Sequence, residues 1–296
     1  MLSTNLPARA EMLRAIRAYF DGAGFTETET PVRIAAPANE LHIDAPASEG
    51  KFLRASPELQ MKRLLCRGMD KIYQMGACFR AGEEGARHSP EFTMMEWYRA
   101  NAGYEDVVHD LEAMVRDAAL EIHGKTRWMY NGVEVDAGAP WHCLTVREAY
   151  RDFAGWDPVA CYDADRFDMD MVVAIEPNLP RDRPVILKDY PLEAASLSRQ
   201  SPGDARVAER WEVYIGGMEL CNAYGELTDG KEQRRRFEEA ARGRERMGRV
   251  AYALDEGFLG DLEKGLMPQS GGAALGVDRL CMVLLDAKEI AEVRAG

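Results

Sequence analysis

The sequence predicts an α+β fold built on a central antiparallel sheet flanked by helices. Two stretches, 71–99 and 210–227, alternate with the period of two expected of strands and fold back on themselves around a polar loop and around Gly216-Gly217. Amphipathic helical stretches lie outside these ribbons, so the β-α-β rhythm of a parallel sheet is missing. Neither a GxxxxGK(S/T) loop nor a GxGxxG run after a strand occurs, which excludes the commonest phosphate-binding folds.

In chain order, Leu13, Ile16, Tyr19 and Phe20 recur at helical spacing and predict a helix over 7–22, ended by Gly22 and Gly24. GFTETETPVRI (24–34) is rich in β-branched residues and carries Pro31, so it reads as a strand entering a turn. Pro57 suits the first turn of a helix over 57–67. Residues 71–80 and 91–99 form the two arms of a hairpin whose loop, AGEEGARHSP, is small and charged. Val107, Val108, Leu111, Met114 and Val115 line one face of a helix over 104–122. Thr145 and Glu148 make a capping box opening the next helix. Residues 154–183 mix Pro, Asp and Gly and predict loops with one short helix, followed by a strand over 184–191. After the second hairpin comes a helix over 230–247. The segment 269–290 begins glycine-rich and becomes an apolar helix from about 278.

Composition narrows the function classes. The chain has 296 residues, 46% hydrophobic and 29% charged, enough for one large domain or two small ones. It has no apolar run long enough to span a bilayer, and its first residues lack the apolar core and cleavage site of a secretory signal. Cys66, Cys78, Cys143, Cys161, Cys221 and Cys281 are scattered, without a C-x-x-C pair, which points away from disulfides or zinc and toward a reducing cytoplasm. A net charge of −13 argues against a large nucleic-acid footprint. The basic run KEQRRRFEEAARGRERMGR (231–249) alternates in sign, as a solvated, salt-bridged helix does. His42, His109, His123 and His142 show no ligand spacing, and the fifteen methionines read as core filler.

Three constellations could carry chemistry. Arg80 ends a strand beside Glu83, Glu84, Arg87 and His88, while Glu96 and Tyr98 share a face of the return strand. An arginine so placed can clamp a phosphate and a carboxylate, although a surface hairpin with scattered ion pairs would have the same spacing. Glu212, Glu219 and Glu226 recur every seven residues; a turn at Gly216-Gly217 puts Glu212 and Glu219 on facing strands, where two carboxylates suit Mg²⁺. The alternative, a solvent-facing acidic ladder, sets like charges against each other. The third is Gly271-Gly272-Ala273-Ala274-Leu275-Gly276 leading into Asp278 and Arg279: small residues that admit a ligand against the backbone, or a close helix–sheet packing joint.

Together these pieces resemble the class II lysyl-tRNA synthetase family. FRAGEEGARHSPEFTMMEWY resembles its motif 2, GAALGVDRL its motif 3, and ETETPV around Pro31 its dimer-forming motif 1, so the likeness covers nearly the whole chain. It implies a class II aminoacyl-tRNA synthetase-like catalytic domain over 1–296, a homodimer, and ATP with Mg²⁺ as cofactors. The motif 1 proline already stands at 31, so the resemblance implies no upstream anticodon-binding domain and makes tRNA an unlikely partner. ASPELQMKRLL, IEPNL, RVAERWEVYIGGMEL and ALGVDRL resemble a narrower group, the ligases that attach (R)-β-lysine to elongation factor P. Ser56 stands where the synthetases usually have alanine and Ala274 where they usually have glycine, both as in the ligases. The extra methyl biases the pocket toward a β-amino acid, by about 1–3 kcal/mol at most.

The resemblance implies these roles. Arg80 contacts the α-phosphate and the substrate carboxylate, and Arg279 the γ-phosphate or adenine face. Glu83, Arg87, His88, Phe92, Glu219, Leu220 and Gly276 surround ATP, with Phe92 stacked on adenine. Ser56, Glu58, Glu96, Tyr98, Asn222, Glu226 and Ala274 hold a lysine or β-lysine substrate, Tyr98 and Glu226 taking its ε-ammonium. Glu212 and Glu219 hold Mg²⁺. Two residues depart from the family pattern: Gly82, where an acidic residue is common, and Ser89, where asparagine is. The implied activity is formation of an aminoacyl-adenylate and its transfer to a lysine of elongation factor P; a truncated lysyl-tRNA synthetase charging tRNA, or a non-catalytic regulatory paralogue, are the other readings.

Overall fold

The computed structural model describes residues 5–295; residues 1–4 and 296 of the expected domain, including the first part of the presumptive non-signal N-terminus, lie outside them. The elements in order are α1 (Leu6–Gly22), β1 (Thr26–Glu27), β2 (Arg33–Ile34), β3 (Ala47–Ser48), β4 (Lys51–Leu53), α2 (Glu58–Leu65), β5 (Lys71–Phe79) and β6 (Glu91–Ala100). There follow α3 (Tyr104–His123), β7 (Arg127–Tyr130), β8 (Val133–Asp136), β9 (His142–Thr145), α4 (Val146–Phe153), α5 (Ala164–Asp170), β10 (Val185–Pro191), β11 (Val207–Ile215) and β12 (Met218–Gly225). The chain ends with α6 (Gly230–Arg246), α7 (Glu256–Glu263), β13 (Ser270–Gly276) and α8 (Val277–Leu284).

Eight strands form the central sheet in the order β1-β5-β6-β13-β12-β11-β10-β9. From β5 to β10 every pairing is antiparallel; only the short edge strands β1 and β9 run parallel to their neighbours. Both hairpins read from the alternation are present. Helices α1 and α3 cover one face of the sheet. Met12, Ile16 and Phe20 of α1 interlock with Val107, Leu111, Met114 and Val115 of α3 and with Tyr73 and Trp97 beneath, all nearly or wholly buried. Each such side chain contributes about 1.5–3 kcal/mol of hydrophobic stabilisation. A second cluster joins α2, α6 and α7 around Leu59, Leu65, Phe237, Phe258 and Leu262, and reaches Tyr98 of the sheet. The capping box forms as expected, with Glu148 N donating to Thr145 Oγ1 at 3.1 Å and Thr145 N to Glu148 at 2.8 Å.

The structure adds three features to the sequence reading. The glycine-rich segment 270–276 is a strand at the centre of the sheet, paired on both sides. Glycine weakens a strand intrinsically, but here the absence of side chains is required: a Cβ on Gly271 would lie 2.3 Å from Gly103 O, and one on Gly272 would lie 2.3 Å from Glu226 Oε1 and from the Tyr98 ring. Hairpin β7–β8 turns at Asn131-Gly132; both residues have positive φ (50° and 78°), as a tight hairpin turn demands. Finally, α6 is only partly a solvated helix. Its surface is laced by Glu232–Arg235 and Arg235–Glu239 pairs, but Arg244 is completely buried. That guanidinium donates to the carbonyls of Glu40 (2.5 Å), Ile43 (2.7 Å) and Val250 (2.6 Å) and pairs with Asp44, pinning the loop before β3. Between α5 and β10 a π-turn and a 3₁₀ turn complete the expected irregular stretch. All six cysteines are unpaired thiols. No helix among the described residues is long and apolar enough to cross a membrane.

Candidate active site

Hairpin β5–β6 supplies the first wall. Its register sets Gln74 opposite Glu96 and Ile72 opposite Tyr98, so Glu96 and Tyr98 face the same side two residues apart. Arg80, one step beyond β5, lays its guanidinium 5.1 Å from the Phe92 ring centroid and 3.8 Å from Glu83. Gly82 has φ +79°, a left-handed conformation that explains glycine at this departure from the family pattern. The loop is braced from the far end of the chain, where Ile290 N donates to Ala86 O at 2.7 Å.

Arg279 enters from the first turn of α8. It donates to Glu219 O at 3.0 Å, lies 3.3 Å from Glu219 Oε2, and reaches His88 Nε2 at 2.6 Å. Partial burial first, and the adjacent Arg279 second, hold the His88 imidazole below its ordinary pKa, so it is neutral near pH 7 and its Nε2 accepts from Arg279. Asp278 anchors this helix start: it accepts Thr93 N at 2.8 Å and pairs with Arg9 and Arg294 at 2.6 and 3.0 Å.

Hairpin β11–β12 supplies the facing wall. Gly216 and Gly217 both have positive φ and close its two-residue turn. The register runs Tyr214↔Glu219 and then shifts to Val213↔Cys221 and Glu212↔Asn222, leaving Leu220 as the extra residue of a bulge. The bulge is decisive: in a regular strand Glu219 and Asn222 would point to opposite faces, whereas here both share the side of Glu212. Arg210 organises this wall. It pairs with Glu212 at 2.6 Å, donates to Asn222 at 3.3 Å and lies 4.4 Å from the Tyr190 ring centroid. Glu212 also accepts from Tyr214 Oη at 2.7 Å and does not itself border the cavity. Burial, and then the nearby Glu212 charge, push the Glu219 carboxyl up. Glu219 on the cavity and Glu212 behind it, each paired with an arginine, are hard oxygen donors of the type Mg²⁺ takes. Among the described residues no cluster of three or more metal-ligating side chains occurs, so phosphate and water oxygens would have to supply most of a cation's shell.

Between the walls lies a polar pocket. Ser56 Oγ donates to Glu96 Oε1 at 2.6 Å and accepts Glu58 N at 3.0 Å, while Tyr98 Oη donates to Glu96 Oε2 at 2.7 Å. Burial first, then Glu58, raises the Glu96 carboxyl to about 7; burial also raises Glu226 to about 8, against the pull of Lys62. Ala274 sits across the sheet from both Glu96 and Asn222, so its methyl lies on the pocket floor between them.

One cavity of about 240 Å³ is bordered by Ser56, Glu58, Arg80, Glu83, Arg87 and His88, by Phe92, Glu96, Tyr98, Glu219, Leu220 and Asn222, and by Glu226, Ala274, Gly276 and Arg279. Of the residues singled out from the sequence, Glu212 alone stands behind the wall. Gly276 is not required for space, since a Cβ there would meet only the Arg279 side chain, 3.6 Å or more away. Sequence reasoning missed Lys62, Glu40 and Arg210. Lys62 is one helical turn after Glu58 and Arg210 two residues before Glu212, spacings that were open to inspection; Glu40 lies in an irregular loop without periodic signal.

The profile of the family "tRNA synthetases class II (D, K and N)" matches residues 1–295. The chain is 36% identical to a lysine–tRNA ligase of Clostridium perfringens over 96% of its own length and 62% of the relative's, and 38% identical to one of Moorella thermoacetica over 96% and 63%. It thus spans about three-fifths of those relatives. It is also 36% identical to an elongation factor P–(R)-β-lysine ligase of Pectobacterium atrosepticum, over 98% of this chain and 94% of that one.

Proposed function

Since the chain belongs to the class II tRNA synthetase family, we propose that it activates a lysine-type amino acid with ATP and passes the acyl group to a lysine of elongation factor P. The observation that carries this reading is the shared cavity, where a carboxylate-rich pocket adjoins Arg80, Arg87, Arg279 and the Glu219 carboxylate. Ser56 and Ala274 both border the pocket, and their resemblance to the ligases favours (R)-β-lysine over lysine.

In the first step the substrate carboxylate attacks the α-phosphorus of ATP; the new P–O bond forms as the bond to pyrophosphate breaks. Arg80 holds the carboxylate and the α-phosphate together, which removes much of the entropic barrier, and Arg279 offsets charge at the phosphates. Glu219, with Glu212 behind it, would hold Mg²⁺, which would supply further neutralisation of phosphate charge. Phe92 provides an apolar face for adenine. Glu226, Tyr98 and Glu96 hold the ammonium groups and exclude a neutral side chain. In the second step a neutral amine of the acceptor attacks the adenylate carbonyl, releasing AMP and a proton. The dimer expected from motif 1 belongs to the same proposal.

The test is mass spectrometry of elongation factor P after incubation with the protein, ATP and either lysine isomer. The expected result is one aminoacyl addition on a single lysine, faster with the β-isomer. Charging of purified tRNA without modification of the factor would establish the tRNA-ligase reading instead, and absence of pyrophosphate exchange with both isomers would leave a non-catalytic paralogue.

A further inference from the structure

We propose that Lys62 is an internal counter-cation that sets how many positive charges the amino-acid pocket accepts, and so is a specificity-determining positioning residue. The inference rests on the activation of a diamino acid proposed above. Glu58 and Lys62 lie one turn apart on α2, so their side chains meet on one face. The ammonium is 2.5 Å from Glu58 Oε1 and in direct ion-pair contact with Glu226 Oε2, and the Lys62 side chain is 2% exposed. A charged group so deeply buried persists only when paired.

Groups from every neighbouring element converge there. Glu58 and Lys62 come from α2, Glu96 and Tyr98 from β6, Tyr224 from β12 and Glu226 just beyond it, while Glu40 and Arg80 border the same cavity. On the far side of α2, Asp255 and Asp261 engage Arg63 instead. Counted as charged, the carboxylates of Glu58, Glu96 and Glu226 against the one ammonium of Lys62 leave two net negative charges. Two ammonium groups neutralise them, while Arg80 takes the substrate's carboxylate. A monoamino acid of equal length leaves one carboxylate buried and unpaired, or neutral through proton uptake. Glu226 marks the vacancy: both of its carboxylate oxygens are buried without a hydrogen-bond partner, and while Oε2 is in ion-pair contact with Lys62, Oε1 has no cation beside it and faces Tyr98 and Gly272.

Without the Lys62 charge, the Glu226 carboxyl, raised by burial, loses the attraction that draws it down, so it ionises at higher pH and binds an ammonium group only there. The experiment is lysine-dependent pyrophosphate exchange from pH 6 to 9.5 in wild type, K62M and K62R. In K62M the half-maximum of kcat/KM for the amino acid moves up by at least about one pH unit, the shift expected when an opposite charge in contact is removed. KM for ATP stays within twofold, and K62R, which keeps the charge, returns the midpoint toward wild type. A K62M profile superimposed on wild type, or parallel losses in KM for ATP and amino acid, would overturn the assignment. Should K62M fail to fold, K62A is assayed with added methylammonium. Recovery with the amine but not with equimolar methanol supports the role, and its absence refutes it. Inactive wild type would count against the proposed reaction, whereas active wild type with an unshifted variant would count against Lys62 alone.

Discussion

Substituting Gly272 with alanine tests the pocket at its tightest point. The new Cβ would lie 2.3 Å from Glu226 Oε1 and 2.3 Å from both Cδ1 and Cε1 of Tyr98. Ordinary contact needs about 3.5–4.0 Å, so more than an ångström must be found. Glu226 is held by the Lys62 ion pair and Tyr98 by its bond to Glu96, and both are almost completely buried. Neither can retreat without losing a polar contact. Overpacking of this kind costs about 1–3 kcal/mol of stability. Displacing either ammonium-binding group loses a charge-assisted hydrogen bond of about 1.5–3 kcal/mol, a factor of roughly 10 to 150 in affinity. Exchange kinetics should show KM for the amino acid rising by at least tenfold, KM for ATP nearly unchanged, and a lower midpoint in urea unfolding. A G272A enzyme with wild-type KM for the amino acid would refute the assignment of Glu226 and Tyr98 to the ε-ammonium.

Other consequences concern charge and the phosphate side. The Glu96 and Glu226 carboxyls are raised to about 7 and 8, chiefly by burial, and in the proposed reaction they would bind ammonium groups only when ionised. Amino-acid kcat/KM should therefore rise from pH 6 to a plateau above about pH 9. For stability the sign is opposite. Between the unfolded carboxylate pKa of about 4.3 and the folded values, the native state binds more protons than the unfolded state, so stability falls as pH rises through that window. Melting curves at pH 6 and 8.5 should show the decline, reduced in E226Q. R80A and E219Q should each lower pyrophosphate exchange at least about 10³-fold with unchanged circular dichroism, since each removes charge stabilisation at the phosphates; normal exchange in either would show the site to be misplaced. A274G should move the β-to-α lysine preference toward lysine by roughly 10-fold or more, within the range one methyl commands, as read by competitive exchange.

Much of the architecture could be read locally, because hydrophobic period reports which face of a segment is buried. The spacing of Leu13, Ile16 and Phe20, the Thr145–Glu148 box and the alternation on both sides of Gly216-Gly217 each encode one element without reference to the rest. The ordered motifs around Arg80 and Arg279, with family resemblance, nominate a majority of the residues that border the cavity, but not Glu40, Ile43, Tyr224 or Ile290. Tertiary structure decided the rest, for reasons no local pattern contains. The glycine-rich segment 270–276 becomes a central strand because its neighbours supply two ladders of hydrogen bonds, and because Gly271 and Gly272 must make room for Gly103, Glu226 and Tyr98. One extra residue at Leu220 turns Glu219 to the side of Asn222, a change of face that depends on pairing register rather than composition. Lys62 and Arg244, charged residues that helical pattern assigns to water, are buried because partners far away in sequence, Glu226 and the 40–44 loop, converge on them. A charge can lie inside a protein only where such partners meet it, and that meeting is a property of the folded chain alone.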